Sequence, residues 1–312
     1  MRDSRRVLAV ALLALGGVSC AYRSVTGPAM CRERSLRSRP FANSRVMAAD
    51  LEGVAFVSGS DELWIGDDIA NQVYVIDHRD GSFRARLRAQ DFLAAFPDAR
   101  DCDSGDPNVE CSYTAELEVL AYDDSARALY VMNTVNDLKR VPAVDKPAIY
   151  KLARPDEDSN LRFVEWKELL PGHKYGAMVV VDGQLYIAIG ARLVAFDYEA
   201  NRFARIDATG KPLEVYTSPH GTIVGMAWTG ADLWLLHQDR TLAKVDWKEW
   251  KEVQTWDMGT LGVKFPKGLT FGRAEFFLVD GDPPNPIHVL RFEVPPKMSR
   301  AAWLGGWPNS CP

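Results

Sequence analysis

LEGVAFVSGSDELWIGDDIANQVYVIDHRDGSFRARLR, residues 51–88, decides the fold. It contains four short runs, LEGVAF (51–56), ELWIGDD (62–68), QVYVID (72–77) and FRARLR (83–88), separated by turn formers. Runs of this length, rich in β-branched and aromatic residues and bounded by Gly, Asp, Asn and Ser, read as strands joined by tight turns.

The unit recurs. LEVLAY (117–122) leads to ALYVMNT, AIYKLA and LRFVEW; YGAMVVV (175–181) leads to QLYIAIG, RLVAFD and RFARID. IVGMAW (223–228) leads to DLWLLHQD, TLAKVD and EVQTWD; KGLTFG (267–272) leads to EFFLVDGD and IHVLRF. Each unit is an apolar strand with small residues, an aromatic strand, an apolar strand ending near Asp, and a more polar strand. Four antiparallel strands recurring at this spacing indicate an all-β chain folded as a β-propeller. Five blades are expected, near 51–92, 117–169, 175–207, 223–258 and 267–294, within one domain spanning 38–312. A large sandwich or barrel explains the alternation but not the recurrence. A sixth blade is the alternative count, if AAWLGGW (301–307) joins the N-terminal strand.

Gly53, Gly176, Gly225 and Gly268 share one register, with Val119 in the second unit. Glycine there lets neighbouring innermost strands approach near a central axis. The fifth unit lacks a fourth strand before Pro295-Pro296, so 38–48 is expected to supply it, with 21–37 as a linker. Two insertions, 89–115 with a short helical stretch at 90–96, and 134–147, are candidate surfaces for a protein or small-molecule ligand.

The 312-residue chain is 47% apolar and 25% charged with net charge −5, which argues against nucleic acid as a partner. Arg2, Arg5 and Arg6 precede the apolar run 7–18, the pattern of an export signal that is too short to span a bilayer. Two endings fit. Gly17-Val18-Ser19-Cys20 resembles a bacterial lipobox, with Cys20 acylated, and Gly17 stands where Leu is usual; Ser19-Cys20-Ala21 fits signal-peptidase cleavage after Ala21. Ser4-Arg5-Arg6 also resembles a twin-arginine signal. The expected location is therefore periplasmic, cell-surface or secreted, with membrane association only through a lipid anchor. Cys102 and Cys111 bracket a turn-rich loop and are the natural disulfide pair, leaving Cys31 with Cys311 by elimination.

The strand register nominates residues where the innermost strands begin. These are Asp50 and Glu52, Glu116 and Glu118, His173, Lys174 and Tyr175, His220 and Thr222, and Lys267. Glu52, Glu118, His220 and Lys267 are the catalytic candidates, because crowded carboxylates, imidazole and amine shift one another's pKa values. Asp50, Glu116, His173, Lys174 and Tyr175 are candidate binding residues. A plug of neutralising charges is the structural alternative. Asp101, Asp103 and Asp106 in the 102–111 loop region are weak calcium candidates, since hard cations take oxygen ligands from acidic loops. His78 and His288 read as packing residues. No G-x-S-x-G, H-E-x-x-H, C-x-x-C or G-x-x-x-x-G-K motif is present.

Glu52-Gly53 followed by the W-x-x-D-D strand at 64–68 resembles the first blade of the gluconolactonase and senescence-marker propellers. That resemblance implies six blades and a divalent cation held by Glu52, with Asn and Asp from later blades. Val224 and Lys267 stand where the family's Asn ligands belong, and Asp280 is the position nearest its distal Asp. The start Asp50-Leu51-Glu52-Gly53 is also similar to extracytoplasmic propellers of the SdiA-regulated and esterase-like phytase groups. Those resemblances imply an ester, lactone or phosphoester hydrolase as the alternative to a ligand- or protein-binding module.

Overall fold

The computed structural model describes residues 30–37, 51–67, 72–88, 118–133, 147–153, 162–170, 173–281 and 286–292. Strand β1 (Met30–Arg37) comes first in the chain. The first blade follows as β2 (Leu51–Val57), β3 (Glu62–Asp67), β4 (Gln72–Asp77) and β5 (Phe83–Arg88). The second blade is β6 (Val119–Asp123), β7 (Ala128–Asn133), β8 (Ala148–Ala153) and β9 (Arg162–Glu168). The third is β10 (Tyr175–Val181), β11 (Gln184–Ile189) and β12 (Arg192–Asp197), with the short β13 (Arg202–Phe203) and β14 (Tyr216–Thr217). The fourth is β15 (Ile223–Trp228), β16 (Leu233–His237), β17 (Thr241–Asp246) and β18 (Lys251–Asp257). The fifth is β19 (Pro266–Gly272), β20 (Glu275–Asp280) and β21 (Pro286–Phe292).

Each blade is an antiparallel sheet ordered from its first strand outward, and β1 joins β21 to complete the fifth. The innermost strands β2, β6, β10, β15 and β19 each neighbour the next, and β19 returns to β2, closing a five-membered ring. Among the described residues the molecule is a five-bladed β-propeller. None of their helices is long and apolar enough to cross a membrane.

The closing strand corrects the sequence reading. Met30–Arg37 pairs antiparallel with β21, with Cys31 opposite Arg291, where 38–48 is expected from sequence. MCRERSLR lacks apolar alternation and so reads as linker. A charge-rich strand is nevertheless what an outermost edge facing water carries. Residues 38–48 lie outside the described residues, as do Cys311, the 301–307 tail, and the insertions through residue 146. The third blade differs too. RFARID (202–207) forms only a two-residue strand, and β14 pairs with the opposite end of β12. The Asp207 carboxylate accepts the backbone N–H groups of Thr209 and Lys211, and Gly210 has φ +84°, so a tight turn replaces the strand.

Alternation along the strands builds the core. Successive side chains on a strand point to opposite faces, so each inner strand feeds two blade interfaces. Val54 and Phe56 pack with Phe277 and Val279 of the fifth blade, whereas Ala55 and Val57 pack with Leu120 and Leu129 of the second. Likewise Trp234 and Leu236 face the fifth blade and Leu233 and Leu235 the third. One apolar cluster fills each of the five interfaces. That is why the second strands are buried on both faces and read as near-continuous apolar runs.

The glycines at the shared register are explained by the same ring. A Cβ on Gly176 would sit 2.3 Å from the Ile223 carbonyl oxygen, and one on Gly53 would sit 2.6 Å from the Leu120 nitrogen. On Gly225 it would lie 2.7 Å from the Leu269 nitrogen, and on Gly268 2.6 Å from the Glu52 oxygen. The Asp that ends third strands is a turn former. Asp77, Asp197 and Asp246 accept backbone N–H groups of Arg79, Ala200 and Lys248 at 2.8, 3.0 and 3.0 Å. Arg79 and Arg84 also hold the Asp77 carboxyl well below the usual carboxylate range.

Candidate functional site

The beginnings of the innermost strands converge on a recess, here the leading mouth. It has a volume of about 200 Å³, and its lining includes Glu52, Glu118, Lys174, Tyr175, Thr222, Val224 and Lys267. Four of the five strands enter it through a β-bulge, between Leu51 and Val54, Tyr175 and Ala177, Ile223 and Gly225, and Pro266 and Gly268. A bulge inserts a residue and re-aims its side chain, which brings Glu52, Val224 and Lys267 to the lining. Strand β6 pairs without a register shift, and it carries Val119 where the others carry glycine.

Backbone bonds fix the entrances of the third, fourth and fifth blades. The N–H following the second strand donates to the carbonyl just before the first: Gly190 to Lys174 at 3.0 Å, Gln238 to Thr222 at 2.9 Å and Gly281 to Phe265 at 2.8 Å. Lys267 donates a short charge-assisted hydrogen bond to Glu52, linking the fifth blade to the first across the seam where the ring closes. A Cβ on Gly281 would meet the Lys267 stem at 2.9 Å, so Gly281 leaves that stem its path to Glu52. Glu52 on β2 and Glu118, just before β6, are neighbours: a Cβ on Gly53 would lie 2.7 Å from the Glu118 carbonyl oxygen.

The nominated residues separate into groups. Glu52, Glu118, Lys174, Tyr175 and Lys267 share the recess. The Tyr175 side chain is buried there, and its hydroxyl donates to the Leu170 carbonyl at 2.9 Å, with burial raising its pKa far above the ordinary value. Tyr175 therefore contributes a ring wall and no free phenol. His173 stacks edge-on against Tyr175, its rings 6.1 Å apart, outside the lining, and burial lowers its pKa. His220 turns away: its Nε2 lies 2.9 Å from Glu252 on the outermost strand β18. The structure thus does not assemble the four catalytic candidates in one place. Asp50, Glu116, Asp101, Asp103, Asp106, Cys102, Cys111 and Cys20 lie outside the described residues. Among the described residues no group of three His, Cys, Asp or Glu could hold a metal ion.

Two further sequence candidates, Asp280 and His237, lie beside the mouth as braces. The last residue of a second strand braces the loop that enters its blade. Asp280, 1% exposed, accepts the N–H groups of Lys264 and Phe265, both at 2.8 Å. Its carboxylate is thereby committed to the backbone, which leaves it ill placed for the metal role implied by resemblance. His288 packs beside it, 3.4 Å from Oδ2.

His237 holds the equivalent position in the fourth blade. Its Nδ1 donates to the Thr241 carbonyl at 3.0 Å, leaving Nε2 to accept the Ser218 hydroxyl at 2.7 Å. Ser218 Oγ in turn accepts the His220 N–H at 3.2 Å. A serine donating to a neutral imidazole has the form of a nucleophile and its base. Yet Ser218 is 4% and His237 0% exposed, and neither lines the mouth. By register and by bonding, the pair is a brace like Asp280.

Burial lowers the pKa of His237 from its ordinary 6.5. The unfolded chain therefore takes up a proton near pH 6.5 that the folded chain refuses, so stability is complete above that pH and declines below it. His237→Gln is expected to flatten that decline partially, since His173 is shifted the same way. Urea midpoints measured from about pH 7.5 down to about pH 5 check this. An unchanged slope would assign the decline to other groups.

The fold and this axial recess define a five-bladed propeller with a mixed-charge mouth. No protein-family model and no curated protein matches the sequence. By structure the chain is similar to the glutaminyl cyclase of Myxococcus xanthus, with TM-score 0.54 and 11% identity over 85% of this chain and 97% of that one. A chain of a nidogen/laminin complex matches with TM-score 0.45 and 12% identity, covering 75% of this chain and 73% of that one. At 11% identity the likeness to the cyclase is one of fold alone.

Proposed function

We propose that the protein is an exported propeller that serves as a binding module, with the leading mouth taking a small zwitterion such as an amino acid or short peptide. The supporting observation is that two carboxylate-bearing and two ammonium-bearing side chains, Glu52, Glu118, Lys174 and Lys267, border one recess of about 200 Å³. The Glu52–Lys267 pair bridges the first and fifth blades, and Glu118 and Lys174, bordering the same recess from the second and third blades, are the groups assigned to a ligand's amine and carboxylate. Charge-assisted hydrogen bonds of this kind select by sign and spacing. A ligand that binds only the folded chain stabilises it, by about 2.7 kcal/mol at a hundredfold excess over Kd. Melting in the presence of glycylglycine tests this: Tm is expected to rise with concentration and saturate, and an unchanged Tm at millimolar dipeptide would count against it.

A second reading is catalytic. It draws on Glu52 and Glu118 sharing one recess, since paired carboxylates can divide acid and base roles. The reaction would be hydrolysis of an ester, lactone or phosphoester, or, following the name of the structurally similar enzyme, cyclisation of glutamine. Turnover abolished by Glu118→Gln would establish it. Metal analysis belongs to the same test: a stoichiometric divalent ion, such as calcium, lost in Glu52→Ala would tie catalysis or binding to a cation. For export, mass spectrometry distinguishes a diacylglyceryl Cys20 terminus from one beginning at Tyr22.

A further inference from the structure

The innermost strands end in a second, larger cavity at the opposite end of the axis. Its volume is about 950 Å³, at the upper end of the size of small-molecule sites. Three blades give it partly exposed aromatic walls, Tyr122, Trp228 and Phe271, with the buried Phe56 of the first blade packed beneath them. These rings are anchored from behind. Phe56 stacks on Phe277 with centroids 6.0 Å apart, Tyr122 tilts against Trp64 at 5.8 Å, Trp228 meets Trp247 edge-on at 5.5 Å, and Phe271 lies 4.9 Å from Phe276. The Phe56 N–H also donates to Thr270 Oγ1 at 3.1 Å, tying the first blade to the fifth at the wall. The aromatic lining is thus held in place before any ligand arrives.

The charges at the rim are unequal. Asp124 and Asp182, both exposed, line it from the turns that follow β6 and β10. Asp124 accepts the Ser58 hydroxyl at 2.6 Å. Among the described residues no side chain forms an ion pair with Asp182. Asp123 is a third carboxylate in the lining, committed to the N–H groups of Ser125 and Ala126. Among the described residues the one cationic side chain of the lining, Arg273, is paired with Asp61. The cavity therefore combines rigid π faces with an acidic edge on the second and third blades. Both attract a cation: the edge by Coulomb attraction, the rings through their quadrupoles.

We infer that this cavity is a binding site for an organic ammonium with an aromatic or apolar body, the body seated among Tyr122, Trp228 and Phe271 and the ammonium at Asp124 and Asp182. It is separate from the leading mouth and does not depend on the reading given to that mouth.

Calorimetric titration with 2-phenylethylamine and with phenylacetate, which share a ring and differ in sign, tests the inference. Saturable binding of the amine is expected, with phenylacetate at least about tenfold weaker. The double variant Asp124→Asn, Asp182→Asn is expected to weaken the amine by about tenfold with its Tm preserved. Trp228→Ala should weaken it to a similar degree. The mouth variants Glu118→Gln and Lys174→Ala should leave it unchanged. Equal affinity for amine and carboxylate, amine binding indifferent to the double variant, or no saturable binding at millimolar amine would each overturn the inference. Loss of amine binding in the mouth variants would assign the amine to the mouth and overturn it as well.

Discussion

Gly176→Val is expected to destabilise the protein by about 3 kcal/mol or more. The new Cβ would fall 2.3 Å from the Ile223 carbonyl oxygen, a backbone atom of the next blade's innermost strand. Side chains can rotate away from an overpacked atom, but the backbone of a closed ring cannot. Relief there requires the third and fourth blades to separate along β10 and β15, opening the apolar cluster of Ala177, Ile223 and Met226. Gly59→Ala is the control. No atom lies within 4 Å of its added methyl, so its stability is expected to change by less than about 1 kcal/mol. Urea unfolding of the two variants decides the matter. Equal midpoints would mean that the ring glycines serve some purpose other than close approach.

Trp234→Ala is the second large effect, expected to cost about 3–5 kcal/mol. Trp234 is 2% exposed on β16 and lies between the fourth and fifth blades. Its ring meets Trp256 at 5.1 Å, Phe276 at 4.8 Å and Phe292 at 5.2 Å, so truncation removes the centre of an aromatic cluster. Among the described residues the indole N–H finds no hydrogen-bond partner, and leaving a buried donor unmade is itself unfavourable. Trp234→Phe is therefore expected to cost much less than Trp234→Ala, because it sheds the unpaired donor and keeps most of the ring. A similar loss in both variants, read from urea midpoints, would contradict the packing account.

The fold was legible because its physics is repetitive. Five copies of one strand pattern, with Gly53, Gly176, Gly225 and Gly268 in register, define blades and an axis at once. The closing strand was not legible. Met30–Arg37 carries the polar sequence of a water-facing edge, and its place is set by pairing with β21, not by apolar alternation. Glu52, Glu118, Lys174 and Lys267 could be placed at the mouth from register alone. The bulges that aim Glu52 and Lys267 inward depend on inter-strand pairing, which no local pattern announces. His220 illustrates the opposite failure. Its position in the sequence is right for the mouth, but Glu252, distant in sequence, draws it to the blade's outer edge. The aromatic cavity escaped notice because Tyr122, Trp228 and Phe271 each read as ordinary strand core until the ring places them together.

The central claim is that the leading mouth recognises a zwitterion through Glu118 and Lys174. The most direct test is a calorimetric titration of glycylglycine and of its N-acetylated, C-amidated counterpart into the wild-type protein and into the Glu118→Gln, Lys174→Ala double variant. Saturable binding of the free dipeptide is expected, lost at least about tenfold on capping and again in the folded double variant. Equal binding of capped and free dipeptide, or free-dipeptide binding unaltered by the double variant, would contradict the claim.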